Sequence, residues 1–392
     1  MKLGPFWRKR NTELHELVRR ISVYIDYFLW LLLDPAKFKI VKTQEINSIL
    51  GVLINPEKGN VGGDFCFLGV LEYFKKKNPG IRVAILGDFK SLERFGKVPG
   101  IDMIVYKNRK DLEKLRNKGF KAALFVNLGP LKPRDFLFVP YRVLTFYPSI
   151  RALFIYKNRL RITRKPFAPW GTHMVEFGFK MLEVLGFKFD KKDVLFYYSE
   201  EEKKVKTFLK KNKVEKFIIV HPGGKFVVET LQRKKWPPHL WPLNRYSKVA
   251  EHFSKIGYKI LVTGTKDESL LFGEIKKGCN RNTDIIDCCG KFTIRELGAL
   301  LDKTKLLIAT DTAIVHIAYQ IKTKIVELIG PSVPEAVGAW PLDSKRHRIL
   351  IDNGSCSRSM RKIECPEDIV CLGNIKVQDV IKAGEELLKQ KS

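Results

Sequence analysis

The run Leu306-Leu307-Ile308-Ala309 leads through Thr310 into Asp311-Thr312-Ala313-Ile314-Val315-His316. The first four residues are apolar and read as a buried strand. The polar pair that follows sits where a strand would hand over to a helix. The same grammar occurs twice more. His221-Pro222-Gly223-Gly224 follows Phe217–Val220, and Gly330-Pro331-Ser332, with Pro334 close behind, follows Lys324–Leu328. Each loop is therefore expected at the carboxyl end of a strand, the edge where open α/β sheets bind ligands. Glycine-rich loops and helix N-termini present free N–H groups, which suits a phosphate-bearing ligand.

Outward from these loops, strands and helices alternate. Strands are expected at Ser48–Ile54, Ile81–Leu86, Met103–Tyr106, Ala122–Val126 and Arg142–Phe146, with helices at Asp64–Lys77 and His173–Leu185. After a charged stretch the pattern resumes at Phe217–Val220, Lys259–Thr263, Asp284–Asp287, Leu306–Ala309 and Lys324–Leu328, closing on a helix from Val377. Such alternation indicates α/β architecture: two Rossmann-like, doubly wound domains facing one another across a cleft. The expected divisions are an extension (1–45), a first domain (46–190), a linker (191–216), a second domain (217–375) and a closing helix (376–392).

The 392 residues include 72 Lys+Arg against 42 Asp+Glu, a net charge of +30. That excess favours anionic partners such as nucleic acid, acidic membranes or phosphorylated substrates. It is densest from Lys132 to Lys165, where aromatics are interleaved and Asp135 is the only acid. Either a solvated loop region or a docking surface fits that stretch. Seven cysteines, an odd number in a long chain, do not form a disulfide framework and point to a reducing compartment. Cys356, Cys365 and Cys371 lack the paired spacing of a zinc site.

Near the N-terminus, Lys2, Arg8, Lys9 and Arg10 precede apolar residues at helical spacing: Leu14, Leu17, Val18, Ile21, Ile25, Phe28, Leu29 and Leu32. The apolar part from Ile21 to Leu33 is shorter than the ~20 residues that span a bilayer. A helix lying on an anionic leaflet and a helix packed on the first domain are the two readings.

The candidate site residues each admit a plain and a functional role. Asp311 and Thr312 are a helix cap or a phosphate-side loop. His316, one turn beyond Thr312, is a core histidine or a ligand contact. Gly223 and Gly224 let backbone approach a diphosphate, and Lys234 or Lys235 can neutralise it. Glu268 either starts a helix with a favourable dipole or binds a ribose hydroxyl. Asp64, after Gly62-Gly63, is an N-cap or a general base. These glycines do not make G-x-G-x-x-G, so a dinucleotide fingerprint is unsupported. No Asp-x-Asp occurs, so the acidic pair that often holds a metal on a nucleotide diphosphate is missing.

From about Ser48 to Lys389 the chain resembles glycosyltransferase family 9, the heptosyltransferases of lipopolysaccharide core synthesis. The resemblance rests on Gly63-Asp64, His173-Met174-Val175-Glu176, His221 to Pro237, Gly290-Lys291 with Ile294-Arg295-Glu296-Leu297, the Asp311–His316 run, Gly330 to Pro334, and Cys371-Leu372. It implies a GT-B fold, inversion at the sugar and no metal or other cofactor. It also implies a nucleotide-sugar donor in the second domain and a glycolipid acceptor in the first, at the cytoplasmic face of a membrane. Asp64 would be the base, Lys234 or Lys235 would contact the diphosphate, and Glu268 the nucleoside. Asp311, Thr312, Ala313 and His316 would line the donor sugar and phosphates. Where the family usually shows Gly-Pro, this chain has Ala313-Ile314. The competing reading is a non-catalytic basic protein that binds membrane or nucleic acid. None of the usual nucleic-acid signatures appears, so no nucleic-acid partner is expected.

Overall fold

The computed structural model describes residues 40–53, 61–126, 131, 133–144, 163, 166–169, 171–190, 192–198, 202–224, 227–232, 237, 239–330, 332–351 and 372–390, together with Leu17, Ile21, Tyr24, Ile25, Tyr27 and Phe28. Most of the basic stretch Lys132–Lys165 and Cys356, Cys365 and Cys371 lie outside the described residues. The chain divides into two compact units, Met1–Leu195 and Phe196–Ser392.

The first unit holds a parallel sheet in the order β3-β2-β1-β4-β5. Its strands are β1 (Ser48–Leu53), β2 (Arg82–Gly87), β3 (Ile101–Val105), β4 (Ala122–Phe125) and β5 (Tyr141–Leu144). Every residue of β1 is buried, as expected of a central strand with helices on both faces. One face packs Leu50, Val52, Ala84, Leu86 and Phe125 against Leu115 and Phe136. On the other, α1 (Val61–Lys77) lies so close that a Cβ on Gly51 would meet Phe67 and Leu71 at 3.0 Å. Helices α2 (Phe89–Phe95) and α3 (Lys110–Arg116) fill the crossovers, and α4 (Met174–Glu183) packs on α1. That contact also needs a glycine, since a Cβ on Gly178 would stand 2.9 Å from Val70.

The second unit repeats the design with six parallel strands in the order β11-β10-β9-β6-β7-β8. They are β6 (Phe217–His221), β7 (Lys259–Val262), β8 (Ile285–Asp287), β9 (Leu307–Thr310), β10 (Ile325–Ile329) and β11 (His347–Ile351). In both sheets the order reverses beside the first strand of the unit, at β1/β4 and at β6/β9. These are the topological switch points where doubly wound sheets bind ligands. The expected strands are all present; β11 is an additional one.

The separator expected at 191–216 contains α5 (Glu202–Lys211), which buries Val205 and Leu209. It packs within the second unit, where Lys204 pairs with Glu296 and Lys303 with Glu202. The remaining helices are α6 (Val227–Gln232), α7 (Leu243–Lys255), α8 (Ser269–Lys277), α9 (Ile294–Lys303), α10 (Ala313–Gln320), α11 (Pro334–Val337) and α12 (Val377–Lys389). α12 buries Val380, Ala383 and Leu387 in the core formed by α7 and the sheet. Trp241 Nε1 donates to the Ile375 carbonyl at 3.0 Å, fixing the chain just before that helix.

Candidate functional site

The loops that follow β6, β7, β9 and β10 are interlocked by short contacts at the β6/β9 switch point. Glu268 is central to them. It is buried, and one carboxylate oxygen accepts the Gly224 N–H at 2.7 Å while the other accepts the Thr265 N–H at 2.6 Å. The carboxylate lies directly over Gly223, where a Cβ would stand 2.2 Å from Glu268 Oε1. Only glycine fits there. The adjacent Gly224 faces the β9 loop, and its Cβ would meet Thr312 Cγ2 at 3.0 Å. Gly223, Gly224, Glu268 and Thr312, singled out separately in sequence, thus form one cluster.

Behind them, His221 ends β6 with its Nδ1 2.9 Å from Thr263 Oγ1. Burial pushes the imidazole pKa down and favours the neutral ring, against the opposing pull of the Glu268 carboxylate. This contact joins the end of β6 to the residue that follows β7.

On the β10 side, Ser332 Oγ donates a hydrogen bond to Asp311 Oδ2. This joins the Asp311-Thr312 turn to the Gly-Pro-Ser loop. Burial raises the Asp311 pKa, while His239 and the Ser332 hydrogen bond hold it down. His239 had no assigned role in the sequence; its position in the loop after Pro237 carries a ring close enough to act on Asp311. Under this turn lies Glu327, an acid in the middle of β10 that is fully buried. Its Oε2 accepts the Ala339 N–H at 2.8 Å, and Oε1 has no partner among the described residues. Burial and then the charge of Asp311 push its pKa well above the usual carboxylate range. The only sign of Glu327 in the sequence is a single charged residue inside the otherwise apolar run of β10.

Thr312 occupies the N-cap position of α10, yet its side chain makes no capping hydrogen bond. Its Oγ1 is buried and unpartnered among the described residues. The start of α10 therefore lacks a side-chain cap, and of its first N–H groups that of Val315 is taken by the Thr312 carbonyl at 3.1 Å. Ala313, half-buried, is the first residue of the helix. His316 is buried one turn on, its ring edge-on to Tyr319 at 5.8 Å. Lys234 and Lys235 lie outside the described residues. Among the described residues no cluster of three or more His, Cys, Asp or Glu side chains could hold a metal.

In the first unit, Asp64 is buried within the first turn of α1. The helix begins at Val61, earlier than the expected Asp64 start, so Asp64 is inside the turn and not its cap. Gly62 and Gly63 are helical and buried here because the packed helix overrides their weak propensity.

A family model described as glycosyltransferase family 9 (heptosyltransferase) matches residues 149–369. Lipopolysaccharide heptosyltransferase 3 of Escherichia coli (strain K12) is 28% identical over 224 residues, 56% of this chain and 61% of that protein. Lipooligosaccharide heptosyltransferase 2 of Campylobacter jejuni is 28% identical over 152 residues, 38% of this chain and 46% of its own. The chain thus spans about three-fifths or less of the length of these curated relatives. Among solved structures, a family 9 glycosyltransferase from Veillonella parvula superposes with a TM-score of 0.67 at 18% identity, covering 88% of this chain and 97% of that one. The ADP-heptose lipopolysaccharide heptosyltransferase II of E. coli gives 0.65 at 16% identity, covering 87% and 98%. These likenesses establish the fold as GT-B type, two doubly wound Rossmann-like domains. The family model covers more than half of the sequence and takes in every loop assembled above from His221 to Ser332, and the chain belongs to glycosyltransferase family 9.

Proposed function

We propose that the protein is an inverting, metal-independent glycosyltransferase that moves a heptose from ADP-heptose onto a lipopolysaccharide-core-like glycolipid. The observation that supports this most is the locked loop cluster at the β6/β9 switch point, where the α10 N-terminus has no side-chain cap. A diphosphate there would receive N–H donors from the start of α10 and from the Gly223 backbone, the Gly224 N–H being held by Glu268. Lys234 or Lys235 would add a positive charge as the diphosphate departs. Glu268 keeps lone pairs beyond its two backbone bonds, and these would accept ribose hydroxyls. Asp311, Ala313 and His316 would flank the sugar.

Asp64 is the proposed base. The acceptor hydroxyl oxygen bonds to the anomeric carbon from the face opposite the diphosphate. The carbon–oxygen bond to the diphosphate breaks, the hydroxyl proton passes to Asp64, and the nucleoside diphosphate leaves. A carboxylate is a weak base toward a sugar hydroxyl, so proton transfer accompanies bond formation. Because the acceptor is a glycolipid, the protein would work peripherally at the cytoplasmic face of a membrane.

A thermal-shift panel of ADP-, UDP-, GDP- and dTDP-sugars tests the donor assignment. A cognate donor at about 100 times its Kd stabilises by roughly 2.7 kcal/mol. The ADP-sugar alone should shift the melting temperature; a shift confined to another nucleotide would replace it as donor. Product with retained anomeric configuration would overturn the single-displacement mechanism.

A further inference from the structure

Five large apolar side chains near the N-terminus, Leu17, Ile21, Tyr24, Ile25 and Phe28, are each between 45% and 59% exposed. All five residues are helical. At 100° per residue, their spacing places them within an arc of about 100° on the helix surface. Tyr27 falls about 60° beyond that arc. Its ring meets Phe167 at 5.4 Å and packs against the core of the first unit. Tyr24 also touches Phe167, at 5.3 Å. Tyr24 and Tyr27 thus touch the protein, while the five apolar side chains on the neighbouring arc stay about half exposed.

Scattered exposed apolar residues need no explanation, but a contiguous stripe on one helical face does. The occupant is indicated by charge. Lys2, Arg8, Lys9 and Arg10 stand just before the stripe in a chain of net charge +30. That charge opposes pairing with a second copy and attracts an anionic surface. Among the described residues no helix is long and apolar enough to cross a membrane. We infer that this stripe is a membrane-docking face that inserts into the interfacial layer of an anionic bilayer, lying in its plane. Side chains of this kind reach roughly 5–10 Å into the headgroup and acyl boundary, with basic residues held at the phosphates. The inference rests on the glycolipid reading only in giving the docking a purpose; the docking itself needs no acceptor and no donor.

The test is flotation of the full chain with vesicles free of any acceptor. One set is phosphatidylcholine; the other contains about one third phosphatidylglycerol, both at about 0.1 M salt. The wild type should float with the anionic set and much less with the neutral one. The triple substitution Ile21→Gln, Ile25→Gln, Phe28→Gln should lower the bound fraction at least about tenfold. These side chains are exposed, so its melting temperature and its turnover of a soluble acceptor should stay unchanged. Unaltered vesicle binding by the triple variant overturns the proposal, as does a wild type that floats with neither set. A wild-type dimer that the triple variant converts to monomer would assign the stripe to a second copy instead. Loss of transfer activity with vesicle binding intact would count against the catalytic reading alone.

Discussion

The Glu268 carboxylate accepts the backbone N–H of Gly224 at 2.7 Å, across 44 residues of sequence. This bond, with the second one to Thr265 N, ties the loop after β6 to the loop after β7. Glu268→Ala leaves two N–H groups without their acceptor. Each unpaired buried group costs about 1–3 kcal/mol. The variant should lose stability in urea unfolding and, if donor binds here, raise the donor KM about tenfold or more. An unchanged KM in a destabilised variant would make Glu268 a scaffold residue only.

Gly224 meets Thr312 where the β6 and β9 loops touch. Gly224→Ala places a Cβ 3.0 Å from Thr312 Cγ2. Overpacking of this kind costs about 1–3 kcal/mol. Adding Thr312→Ser removes the offending methyl and keeps the hydroxyl. The double variant should regain most of the lost melting temperature and donor affinity, a coupling that a double-mutant cycle measures directly.

Glu327 makes stability depend on pH in a definite direction. Its pKa in the folded protein lies well above the ordinary carboxylate value, so the folded state holds the proton more tightly than the unfolded chain. The stability it contributes is full at low pH and is lost as pH rises through the raised pKa. Glu327→Gln keeps an acceptor for the Ala339 N–H and cannot ionise. Melting temperatures measured against pH should show a flatter alkaline decline for the variant than for the wild type.

His347 acts in the opposite sense. It is buried at the start of β11 with Nδ1 unpartnered among the described residues, and burial lowers its pKa from 6.5 to about 4. The folded state therefore binds its proton less readily than the unfolded chain. Its stabilising effect is present above about pH 6.5 and is lost as pH falls toward about 4. At 1.36 kcal/mol per unit, the loss amounts to about 3 kcal/mol. Urea unfolding of the wild type and of His347→Asn across this range should differ in slope, the variant being less sensitive to acid.

The strands were legible because parallel sheets covered on both faces require short apolar runs, and Ser48–Leu53 or Phe217–Val220 can be little else. The loops at their ends were legible because Gly223, Gly224, Asp311 and Thr312 follow those runs at once. Less legible were features that depend on distant partners. Glu268 forms a local capping box with Thr265, but its bond to Gly224 arises only when β6 and β7 pair. Thr312 stands at the N-cap position that the sequence suggests, yet its hydroxyl makes no capping hydrogen bond. Glu327 in β10 contradicts the apolar pattern, and its tolerance depends on Ala339 and on burial that no local window reveals. The early start of α1 reflects packing of Gly62 and Gly63 that local propensity argues against.

Asp64 is the residue on which the proposed transfer chemistry turns. Steady-state transfer by wild type and Asp64→Asn, with donor affinity measured separately by thermal shift, separates chemistry from binding. Loss of a general base should lower kcat about 10²–10⁴-fold while donor affinity stays within a factor of about two. A variant that retains near-normal kcat would show that the acceptor proton leaves by another route and that the proposed mechanism is wrong.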